Sequence, residues 1–161
     1  MNHLVISTVG TSLLTNRINR DTENDWYLKL RDTANLSPTA DNAEVKAIID
    51  ELTDRAKMQL YSGDTEKIRS LSAELNGIYG YYKDNLSSAQ GDMNWLIATD
   101  TMQGMATAEI VKDFLVQKGV IVDIFKPSQL STESTQAFSE GVDEILTWMS
   151  DVTLGYQHVC F

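Results

Sequence analysis

Two short stretches hold the residues best suited to chemistry. "VGTSLL" sets Gly10, Thr11, Ser12 and Leu13 directly after a β-branched run, and "TDTMQG" sets Asp100, Thr101, Gln103 and Gly104 after a second apolar run. In the first, glycine admits positive φ. Two hydroxyls and their backbone N–H groups then converge where the chain turns toward a helix, an arrangement suited to phosphate oxygens. In the second, Asp100 is a candidate acceptor for a ribose hydroxyl or an adenine amino group, and Thr101 and Gly104 let a ligand approach a helix N-terminus. Helix capping accounts for the same residue types in both loops, because Ser, Thr and Asp are preferred N-caps. Residue type alone leaves both readings open.

Other candidates are weaker. The sequence contains no G-x-G-x-x-G and no G-x-x-x-x-G-K-[ST] motif, which argues against a dinucleotide or triphosphate loop. Arg17 and Arg20 lie downstream of the first corner, where they reach toward an anion or simply solvate the surface. Trp26, Tyr27, Trp95 and the group Tyr79, Tyr81 and Tyr82 offer stacking faces, although aromatic residues at helical spacing usually build core. Cys160 is the one cysteine, so no internal disulfide forms, and Cys160, His3 and His158 fall into no metal-ligand spacing. Neither a metal nor a cofactor is expected.

The elements that must position these loops follow from the apolar pattern. Residues 4–9 read as a strand covered by helices on both faces. Polar residues then run through Arg20, followed by a short helix over 26–34. Asp41 to Glu44 has capping-box spacing ahead of Val45, Ile48, Ile49, Leu52, Ala56 and Leu60, which predicts a long amphipathic helix ending near Gly63. Asp64 or Thr65 caps the next helix, whose stripe is Ile68, Leu71, Leu75, Ile78 and Tyr82. Residues 95–98 form a second strand, and a helix bearing Met105, Ala108, Val111 and Leu115 follows, closed by Gly119. Residues 120–125 form a third strand, Phe138 to Met149 mark a last helix, and residues 158–161 begin a fourth strand. Strands alternating with helices predict an α/β, Rossmann-like, mostly parallel sheet flanked by helices, with ligands at the C-terminal ends of the strands.

With 161 residues and 42% hydrophobic content, the chain has the size of one domain spanning 1–161. Twenty-three acidic residues against 13 basic ones give a net charge of −10, which argues against a long nucleic acid partner while leaving small anions open. No run reaches the roughly 18 apolar residues of a membrane span, and no targeting segment precedes the first strand. A soluble cytoplasmic protein without a membrane partner is expected. Residues 158–161 read as buried, central-strand material, so the sequence is expected to be the N-terminal part of something longer.

Three segments together carry a family likeness. "ISTVGTSLL" (6–14), "SAELNGI" (72–78) and "LIATDTMQGMATAEIVKDFL" (96–115) resemble the successive motifs of the CRISPR-associated Rossmann fold, or CARF, family. The likeness is to the branch of ring nucleases and type III CRISPR sensor domains. It implies a homodimer that binds a cyclic oligoadenylate, with cyclic tetra-adenylate favoured, during type III antiviral defence. Matched to the family's motifs, Gly10, Thr11, Ser12 and Leu13 form the first ligand loop, and Asp100, Thr101, Gln103 and Gly104 the second. The likeness also admits a metal-independent ring nuclease in which Ser12 contacts the scissile phosphate. In the family a strand like 156–161 leads into an Asn-x-Thr-Gly-Gly-x-Lys loop whose lysine meets the ligand phosphates. The sequence ends at Phe161, so Arg17 or Arg20 would have to stand in. A third expectation, from another class, is an acidic protein-interaction module with both loops serving only as caps.

Overall fold

The computed structural model describes residues 2–128 and 135–161. Among them, four strands and seven α-helices follow in the order β1 (His3–Val9), α1 (Ser12–Thr15), α2 (Asn24–Asp32), α3 (Ala43–Ser62), α4 (Thr65–Leu71), α5 (Ala73–Tyr81), β2 (Met93–Ala98), α6 (Met102–Gln117), β3 (Ile121–Phe125), α7 (Thr135–Val152) and β4 (His158–Cys160). All strand pairs are parallel, and the sheet order is β3-β2-β1-β4. Parallel neighbours need long crossovers, and helices supply each of them. The expected Rossmann-like α/β fold is therefore the fold observed. Among the described residues, no helix is long and apolar enough to cross a membrane.

Strand β1 is apolar on both faces because both are covered. Leu4, Val5 and Ile6 are each at most 4% exposed. On one face Val5 and Val9 join Leu96, Ala98 and Val122 in a core built with helices α1 to α6. On the other, Leu4, Ile6 and Ile97 pack under α7 through Ile145, Trp148, Met149 and Val152. Trp148 stacks on Phe125 with ring centroids 4.2 Å apart and meets Trp95 edge-on at 5.2 Å. Trp95 is thus core rather than a base-stacking face.

Local differences from the sequence reading have physical causes. Residues 12–15 are helical because Leu13 and Leu14 are fully buried, pulling a turn of helix out of what reads as a polar loop. The N-cap of α3 is Asn42, whose side chain accepts from the Val45 N–H, one residue beyond the capping-box reading from Asp41. The stripe from Ile68 to Tyr82 is two helices. Ser72 is extended between them, and its hydroxyl accepts from the Leu75 N–H to start α5 afresh. Asp64 caps α4 as expected, and Gly119 adopts φ +84 after α6, the left-handed turn that glycine permits. Among the described residues, strand β4 pairs with β1, on the side away from β2. Its Val159 and Cys160 are half-buried, while His158 and Phe161 are exposed.

Candidate functional site

The two loops leave adjacent strands at one edge of the sheet. Strand β1 pairs with β2 through to Val9 opposite Ala98, so Gly10 and Thr99 exit side by side. The order of strands reverses at β1, which has β2 on one side and β4 on the other. Ligands of open parallel sheets bind outside the carboxyl ends of the strands at such a reversal. A cavity of about 640 Å³ runs along β1 between Val5 and Val9 and is bounded on one side by Cys160 and Phe161. Its walls include Val9, Ile78, Ile97 and Met149, with the polar groups Glu74 and Thr99 among them.

The first corner keeps its hydroxyls uncommitted. Thr11 is the N-cap of α1 but makes no side-chain cap bond, and neither its hydroxyl nor that of exposed Ser12 has a partner among the described residues. The turn is held by main chain, with Leu14 and Thr15 N–H groups donating to the Thr11 carbonyl at 3.0 Å. Leu13 is 0% exposed and anchors the corner from below, so it offers no open surface of its own. Gly10 N–H donates to Glu74 Oε1 at 2.7 Å, and the Ser72 hydroxyl donates to Glu74 Oε2 at 2.7 Å. Glu74 thereby ties the first turn of α5 to the end of β1. The bond joins residues 64 apart in sequence, which is why local motif reading missed it.

The second corner is self-capped. Thr101 Oγ1 accepts from Gly104 N–H at 3.0 Å and lies 3.1 Å from Thr99 Oγ1. Met102 N–H donates to the Leu36 carbonyl at 2.8 Å. A Cβ on Gly104 would sit 2.1 Å from Thr99 Oγ1 and 2.8 Å from the Thr99 carbonyl, so only glycine lets this loop fold back on the helix. Gln103 is 4% exposed, and its amide donates to the Leu30 carbonyl of α2 at 2.7 Å. Asp100 is half-buried and pairs with Lys126, directly after β3, at 3.3 Å. Capping thus explains Thr101 and Gly104, internal packing explains Gln103, and neither explains Thr11 or Ser12.

Arg17 and Arg20 are occupied elsewhere. Arg17 donates to Gln59 of α3, and burial lowers its pKa below the ordinary guanidinium value. The Arg20 guanidinium lies 3.3 Å from the centre of the Tyr27 ring, a cation–π contact. Among the described residues, Lys126 is a cation paired into the second loop through Asp100, and its position after the third strand of a parallel sheet was the available signal. Among the described residues, no three His, Cys, Asp or Glu side chains gather as a metal-binding group.

These features define an α/β protein with an open parallel sheet of Rossmann-like type. The family model described as CRISPR-associated protein (Cas_APE2256) matches residues 69–160, more than half of the chain, and the chain belongs to that CRISPR-associated family. The matched region runs from within α4 to β4 and includes Glu74, the second corner and Lys126, while the first corner lies before it. A search of curated proteins gave no match.

Proposed function

We propose that this chain is a CRISPR-associated sensor domain that binds a cyclic oligoadenylate, cyclic tetra-adenylate first, across the two-fold axis of a homodimer. The observation that carries this reading is the pairing of two loops at one strand edge at the strand-order reversal. Free hydroxyls at Thr11 and Ser12 suit phosphate oxygens, and Asp100 suits a nucleoside group. A two-fold site matches a ring of even symmetry, since each protomer holds half of it with identical contacts. Phe138, near the start of α7, is 51% exposed, an apolar group for a dimer to bury.

The exposed, unpartnered Ser12 hydroxyl also favours a second reading, a ring nuclease. A ribose 2′-hydroxyl would attack the adjacent phosphorus in line, the bond to the 5′-oxygen would break, and a 2′,3′-cyclic phosphate and a 5′-hydroxyl would result. The protein's part would be to fix that geometry and stabilise charge on the phosphoryl oxygens, with Ser12 as a donor.

Melting the protein with cyclic tetra-adenylate while following the ligand's integrity separates the readings. At 100 times its dissociation constant a ligand stabilises the fold by about 2.7 kcal/mol. A shift with intact ring supports the sensor, and a shift with linear products supports the nuclease. No shift contradicts both and favours an acidic interaction module.

A further inference from the structure

The proposed ligand is an anion, and the loops that would receive it supply hydroxyls and a carboxylate but no positive charge. The residues directly following β1, β2 and β3 at this edge are Gly10, Thr99 and Lys126, and one of them is a cation. Lys126 emerges from β3, two strand spacings from β1, which is about 10 Å. The Asp100 loop lies between, and Asp100 Oδ1 holds Lys126 Nζ at 3.3 Å. Both side chains remain accessible, at 44% exposed for Lys126 and 35% for Asp100. Buried Pro127 follows and fixes the direction in which the chain leaves the strand. Arg17 and Arg20 are engaged by Gln59 and Tyr27.

Resting on the reading above, we infer that Lys126 is the cation that meets a ligand phosphate at this edge, with Asp100 as the positioning residue that holds it beside the second corner. An accessible ion pair is held weakly, so a phosphate can take over the ammonium group from the carboxylate without unfolding anything. The chain's charge of −10 makes such a local cation more consequential, because the surrounding field opposes an anionic ligand.

The test is the salt dependence of cyclic tetra-adenylate binding to the full chain and to Lys126→Gln and Lys126→Arg. In the two-fold site the substitution removes two phosphate contacts per ring, one from each protomer, and at about 0.7 per contact it is expected to flatten the slope of log affinity against log salt by about 1.4. Affinity at low salt should fall about tenfold per contact, the size of a charge-assisted contact, and so about a hundredfold per ring. K126R should restore both, and the melting temperature without ligand should stay the same in all three. A Lys126→Gln protein with wild-type affinity and slope would overturn the inference while leaving the proposed function standing. If the wild-type chain itself fails to bind, the proposed function falls and takes this inference with it.

Discussion

Thr11, Ser12 and Thr101 carry the same functional group at the exits of neighbouring strands, and the fold uses them differently. Thr101 is consumed by capping Gly104, whereas the first corner is closed by the Thr11 carbonyl and leaves both side-chain oxygens free. A hydroxyl that supports no local structure is the better candidate for ligand chemistry. Removing it should be nearly silent for stability, since exposed substitutions away from structural contacts usually stay within about 0.5 kcal/mol. Ser12→Ala is therefore expected to leave the melting temperature unchanged and, if the ring is cleaved, to slow cleavage more than it weakens binding. Single-turnover rates set beside equilibrium binding would check this. Equal losses in both would show that Ser12 serves uniform binding rather than the transition state.

At the scale of elements, the corner depends on what holds α1 and its following linker against α3. Arg55 of α3 grips Glu23 with two hydrogen bonds of 2.7 Å, donates to the Arg17 carbonyl at 3.3 Å and meets Glu51 at 3.0 Å. The Arg55 guanidinium, joined by the Asn19 N–H, holds the Glu23 carboxyl down at about 2, from an ordinary 4.5. A carboxylate depressed in this way contributes stability that is full above about pH 4.5 and is lost as pH falls toward 2. Glu23→Gln should therefore lose less stability than wild type across that window, as read from denaturant midpoints against pH. Parallel curves would mean that the pair does not anchor the linker. The element boundaries themselves were legible wherever one local signal decided them, as at Asp64 and Gly119. They were not legible where two signals competed. The unbroken stripe from Ile68 to Tyr82 hid the Ser72 cap, and the polar composition around Gly10 hid a turn of helix anchored by Leu13 and Leu14.

For the whole molecule, alternation of strands and helices made the parallel sheet readable, but strand order is a tertiary property. Nothing in the four residues "HVCF" says which strand they pair with, and the placement of β4 on the far side of β1 is what creates the reversal point. The site was legible in the same measure. Both loops could be found from composition, yet the Glu74 to Gly10 bond and the Asp100 to Lys126 pair join different elements and emerge only on folding. The account comes to rest on symmetry: one adenylate ring shared by two copies of this edge. Calorimetric titration of cyclic tetra-adenylate into the protein measures that most directly. One ring bound per two chains is the predicted result, and one ring per chain, or no heat of binding at all, would contradict it.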